Sequence, residues 1–194
     1  MNGIATLLAI TCLLLLGSSR ILVSIRMVAF QGVLLGLLPL FVSGTGHIGV
    51  SALILTVTNI GLKSILLPWL LTRALFASGA RREIEPFIGF GTSILSGVFL
   101  LAVSGYIVNR LQSTAAISSS ITLIAGFFMV FSGLFLLITR RKALTQTLGF
   151  LVLENGVFTT GLSLGSEFSV YVELGILLDV FVGIFLMGIM LFHI

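Results

Sequence analysis

Lys63, Glu154, Glu173 and Asp179 are ionisable residues set inside runs of apolar residues suited to hydrocarbon. A charge at the centre of a bilayer costs roughly 2.5–3.5 kcal/mol even on the permissive insertion scale, so each needs a compensating partner. Burial in a low dielectric holds a carboxyl neutral and strips a lysine of its proton, whereas a nearby opposite charge works the other way. A carboxylate held between these influences exchanges a proton near neutral pH, and such groups in membranes form proton relays. The competing reading is plain helix-to-helix hydrogen bonding, worth about 0.6 kcal/mol on average. That second reading suits Asn155 and Gly149 better, because uncharged polar and small residues commonly mediate helix contacts.

The elements that must carry these groups follow from composition. The 194 residues are 58% hydrophobic and 8% charged, with a mean hydropathy of +1.27, whereas a soluble domain carries about a quarter charged residues. Polar clusters separate apolar stretches at Gly3–Gly17, Met27–Ser43, Ile48–Leu71, Phe87–Val108, Ala115–Ile138, Leu144–Leu164 and Ser169–Phe192. Most approach the roughly 17–25 residues a helix needs to cross hydrocarbon. The runs are continuous and Leu-rich instead of alternating, which excludes a barrel. The expected fold is an all-α integral membrane protein of about seven transmembrane helices. The first stretch reads as a mature helix, since its arginines follow it instead of preceding it.

Counting places the acids. Glu154 comes ten residues after Leu144 and Asp179 ten after Ser169, so both lie about 15 Å into the membrane from opposite sides and can be neighbours. Glu173 is shallower and about 240° away from Asp179 around the helix, so it faces elsewhere. Lys63 falls slightly to the cytoplasmic side of the midplane and reaches the acid pair if its helix packs against it.

Arg20, Arg26, Arg73, Arg81, Arg82, Arg140, Arg141 and Lys142 fall in one set of links and only Arg110 in the other. By the positive-inside rule the N-terminus is outside and the C-terminus cytoplasmic. The net charge of +4 is therefore a topological signal, and no nucleic acid is expected as a partner. Cys12 is the only cysteine and the two histidines, His47 and His193, are far apart, so no zinc, haem or iron–sulfur site is expected and no cofactor is assigned to the chain. Pro68 and Trp69 read as a kink and an interfacial anchor, and Pro86 suits a helix first turn. The GxxxG spacings Gly32/Gly36 and Gly161/Gly165 read as generic packing.

The segments GLFLLITRRKALTQTLGFLVLENG and YVELGILLDVFVGIFLMGIMLFHI resemble the small K-type subunit of respiratory complex I and the C subunit of multisubunit sodium/proton antiporters. The matching positions are Arg140 and Arg141, Gly149, Glu154 and Asn155, then Asp179 and Gly183. Relative to the basic pair, Glu154 comes about one turn later than the family glutamate, and Asp179 replaces the usual Glu. The whole chain resembles hydrogenase-4 component E, a membrane subunit of complex I-related [NiFe] hydrogenase and formate hydrogenlyase assemblies. The resemblance implies a four-helix segment over 1–114 and a three-helix K-like module over 115–194. It also implies a non-catalytic membrane-arm subunit of an oxidoreductase complex in the cell (cytoplasmic) membrane, coupling electron transfer to proton or sodium-ion movement. Its partners would be antiporter-like membrane subunits, a hydrogenase or quinone-site-like module, and membrane lipids. Glu154, Asp179, Glu173 and Lys63 would form the relay, with Asn155, Gly149 and Gly183 supporting it. A purely structural scaffold subunit is the alternative. A stand-alone transporter is disfavoured by the lack of a visible inverted repeat, and a retinal-type photoreceptor by the lack of a lysine in the last helix.

Overall fold

A computed structural model describes residues 2–42, 56–57, 60–77, 88–111, 119–164, 175, 177–184 and 188. Among these the regular elements are all helices: α1 (Asn2–Gly17), α2 (Ile21–Val42), α3 (Ile60–Ala77), α4 (Phe90–Leu111), α5 (Ser120–Thr139), α6 (Ala143–Ser163) and α7 (177–184). Spans within α2, α3, α4 and α5 are long and apolar enough to cross a membrane. Helix α1 has 16 residues and is shorter than a usual span. Helix α6 has the length, 21 residues, but carries Glu154, Asn155 and several threonines. The expectations for His47, His193, Arg81, Arg82, Pro86 and Gly165 concern residues outside the described set.

Several expected boundaries are corrected. Helix α2 begins at Ile21 instead of Met27, which puts Arg26 on the helix, and α3 runs past Leu71 to Ala77, which takes in Arg73. Arg110 lies in the last turn of α4. An arginine near a helix end needs no loop, because its stem lies along the helix while its head stays at the polar boundary. Here the Arg73 and Arg110 guanidinium groups each sit 5.4 Å from a ring one turn back, Trp69 and Tyr106 respectively.

Burial follows the helical period. Ala5, Leu8, Cys12, Leu15 and Leu16 form the covered face of α1, and Leu67, Leu70, Leu71, Ala74 and Leu75 that of α3. Helix α4 is the opposite case: Leu95, Val98, Phe99 and Tyr106 stand exposed along it, as expected of a surface facing lipid or another apolar partner. Helix α5 starts on Ser119, which is extended and accepts a hydrogen bond from the Thr122 backbone N–H, an ordinary N-cap.

The closest helix pair is α5 and α6, and glycine spacing makes it possible. Gly126 and Gly133 on α5 are seven residues apart, as are Gly149 and Gly156 on α6, so each pair lies on one helix face. Run antiparallel, the faces meet. A Cβ added at Gly133 would stand 2.5 Å from the Leu153 nitrogen and 2.7 Å from the Gly149 oxygen, and one at Gly156 would stand 2.5 Å from the Val130 nitrogen. Only backbone fits in that seam.

At the end of α5, Arg140 is 1% exposed; it donates through Nη2 to the Leu16 carbonyl at 2.9 Å and lies 5.6 Å from the Phe90 ring centroid. A cation on a carbonyl of the last turn of α1 completes that helix C-terminus. Helices α1 and α4 are thus tied to the α5–α6 junction, while α2 packs on α6 as well as on α1 and α3. Both halves expected from the sequence share this packing.

Candidate functional site

Lys63 lies in a π-helical turn, Ile60–Leu66, that precedes the regular part of α3, Leu67–Ala77. The cause is local. Pro68 has no N–H to give the Ser64 carbonyl and its ring crowds that turn, so the backbone widens just before it; such turns are frequent at functional sites. Lys63 is in register with Leu67, Leu71 and Ala74, and so lies on the buried face of α3. Gly32 of α2 backs it: a Cβ there would be 3.0 Å from the Lys63 carbonyl carbon and from its Cβ. Gly32 therefore lets α2 press directly on the turn that carries the lysine.

Glu154 is two residues, about 200°, round α6 from Gly156. The glycine seam against α5 thus turns the carboxylate to the opposite face, toward α3 and α7. The Lys63 ammonium donates to Glu154 Oε1 at 2.5 Å and, more weakly, to Asn155 Oδ1 at 3.4 Å. Its nitrogen is 5.9 Å from the Phe158 ring centroid, one turn further along α6. Lys63 is 5% exposed and Glu154 2%, so water is largely excluded from the pair.

Asp179 of α7, 4% exposed, completes the cluster. Its carboxyl comes within hydrogen-bonding range of Glu154 and within electrostatic range of Lys63. Gly175, four residues earlier and so on the same face, lies beside the other acid: a Cβ there would be in ordinary contact with Glu154 Oε1 at 3.5 Å. Glu154 Oε2 and Asp179 Oδ1 are buried with no hydrogen-bond partner. The chemistry is a matter of counting. One ammonium balances one carboxylate, so the second acid of a desolvated pair is neutralised by one further cation.

Of the sequence-derived candidates, Lys63, Glu154, Asp179 and Asn155 meet in this cluster. Glu173 lies outside the described residues. Gly149 is in the α5–α6 seam, and a Cβ at Gly183 would meet nothing within 4 Å. Three positioning features were not singled out: Gly32 beyond its generic spacing, Gly175, and the Gly126/Gly133 face. The last two carried a readable signal, in the Gly175/Asp179 spacing of four and the matched spacings of seven. Trp69 is half exposed, with Pro68 buried beside it. A second buried polar contact, Gln31 to Thr11 at 3.1 Å, joins α2 to α1. Among the described residues no three His, Cys, Asp or Glu side chains gather as metal ligands.

Over 171 residues the chain is 32% identical to the Mycobacterium tuberculosis protein Rv0085, which carries the description uncharacterized protein; the match covers 86% of this chain and 76% of that one. No family model matches the chain. No solved structure matches it either.

Proposed function

We propose that this chain, which belongs to the family of the Mycobacterium tuberculosis protein Rv0085, is a non-catalytic membrane-arm subunit of a complex I-related hydrogenase of the hydrogenase-4 or formate hydrogenlyase type. In this reading it couples electron transfer in partner subunits to ion movement through its buried carboxyls, with its N-terminus outside and its C-terminus cytoplasmic. The observation that carries the reading is the Lys63–Glu154–Asp179 cluster. It joins α3, α6 and α7 in a water-poor interior, with one carboxyl oxygen on each acid unpartnered. The sequence resemblance over 115–194 supplies the kind of complex.

The residues divide the work. Lys63 holds a charge that compensates Glu154. Glu154 and Asp179 take and give up the mobile ion between them, and Asn155 steadies the ammonium. A change of charge in a neighbouring subunit would shift the balance of this cluster, because Coulomb forces are weakly screened in a low dielectric. Oxidation and reduction belong to the partners. The scaffold reading draws on one specific observation, that the same ion pair clamps α3 to α6.

Conservative variants separate the two. Glu154→Gln and Asp179→Asn keep shape and hydrogen bonding but remove the exchangeable charge. Each should leave assembly intact and electron transfer running, while the ions moved per electron pair, measured in inverted membrane vesicles, fall toward zero. Unchanged ion movement in fully assembled variants would establish the scaffold.

A further inference from the structure

We propose that the ion handled by this cluster is the proton, and that the Lys63 ammonium excludes sodium by occupying the oxygen atoms a sodium ion would need. The inference rests on the ion-relay reading above and names its substrate. Charge alone does not choose: with Lys63 charged and both acids ionised, one proton or one sodium ion restores neutrality equally. Coordination does. Hard metal cations take several oxygen ligands at once, and the sodium sites of transporters draw on carbonyls freed where helices unwind.

Among the described residues this cluster offers little of that. Glu154 Oε1 and Asn155 Oδ1 already accept from Lys63. Helix α6 runs unbroken from Ala143 to Ser163, and the Asn155 carbonyl additionally accepts from Thr159 Oγ1 at 2.8 Å. Two nearby hydroxyls without partners lie against other helices: Ser64 Oγ is 2.8 Å from the Cβ position of Gly32 on α2, and Thr160 Oγ1 is 2.5 Å from that of Gly126 on α5. Glu154 Oε2 and Asp179 Oδ1 remain. Two neighbouring carboxyls with so few further oxygens are a poor sodium site and a sufficient proton site, since a proton needs one oxygen to bind and one to bond to. Among the described residues, the charged groups that face the pair are Lys63 from α3, Glu154 from α6 and Asp179 from α7.

The test is thermal unfolding of the full chain in lipid nanodiscs, in sodium chloride against choline chloride at equal ionic strength. The wild-type midpoint should be the same in both salts. Lys63→Ala opens Glu154 Oε1 and Asn155 Oδ1 beside the two free oxygens and should acquire a sodium site. Its midpoint should then rise by about 3–5 °C for each tenfold excess of sodium over its dissociation constant, and Glu154→Gln added to it should abolish the rise. A sodium-dependent rise in the wild type that is lost in Glu154→Gln would overturn the proton assignment while leaving an ion relay standing. A folded Lys63→Ala chain that ignores sodium would overturn the role given to the lysine. If Lys63→Ala does not fold, the wild-type and Glu154→Gln measurements still decide the ion. Failure of the relay itself is read separately, as unchanged ion movement in the Glu154→Gln complex.

Discussion

Lys63→Met is expected to destabilise the folded chain by about 3–5 kcal/mol, the usual cost of removing one partner from a buried ion pair. Met fills much the same volume, so the loss would come from the uncompensated carboxyls and not from a cavity. Adding Glu154→Gln should recover part of it, because the doubly neutral pair leaves one uncompensated acid, Asp179, where Lys63→Met leaves two. Glu154→Gln alone should cost less than Lys63→Met, since Asp179 remains within electrostatic range of the ammonium. Equilibrium unfolding of the four chains in lipid or mild detergent gives the coupling energy of the cycle. Additive losses would mean that the lysine and the glutamate do not interact in the folded protein.

Gly133→Leu and Gly156→Leu should each cost at least about 3 kcal/mol, the upper end of ordinary overpacking. The clash is with backbone nitrogen at 2.5 Å in both cases, and backbone of a regular helix does not swing aside as a side chain does. Helices α5 and α6 would have to separate, and Glu154 would lose its aim at Lys63. Gly105→Leu on α4 is the matched control, because a Cβ there meets nothing within 4 Å; its unfolding midpoint should stay close to that of the parent. Equal behaviour of the seam and control variants, scored by unfolding midpoint and by the monodisperse fraction after extraction, would remove the seam from the account.

The all-helical architecture, with helices long and apolar enough to cross a membrane, was legible because length and continuous hydropathy dominate helix formation in lipid. The same signal blurred the ends. Between α1 and α2, the residues ILVSIR after Arg20 are as compatible with helix as the run after them, and a positive charge at Arg26 does not break a helix that can place its head at the boundary. Depth counting brought Glu154 and Asp179 to one level, and the structure pairs Glu154 with Lys63 and sets Asp179 within electrostatic range of that lysine. What depth could not give was rotation. That Glu154 faces α3 and α7 depends on the seam of Gly126, Gly133, Gly149 and Gly156 against α5, a property of two helices together. The π turn before Pro68 was read only as a kink; its effect is to help set which way Lys63 points. A Cβ at Gly183, matched by resemblance, would meet nothing within 4 Å among the described residues, whereas Gly175, on the other side of Asp179, lies against Glu154.

The same geometry explains why α6, the helix with the most chemistry, falls short of the apolar character of α2 to α5. Six of its polar positions, Thr145, Thr147, Glu154, Asn155, Thr159 and Ser163, are buried, and Gln146 and Thr160 are partly so, shielded by neighbours instead of facing lipid. A helix of this composition is stable in a bilayer only when other helices surround it. Structure and proposed chemistry therefore rest on the same packing.

Infrared difference spectroscopy of the intact complex in membranes, recorded between resting and turning-over states, tests the proton exchange most directly. A protonated-carboxyl stretch should change in intensity during turnover, shift in heavy water, and vanish from the difference spectrum in both Glu154→Gln and Asp179→Asn. Carboxyls held in a single protonation state throughout turnover, with spectra identical in the wild type and both variants, would contradict the account.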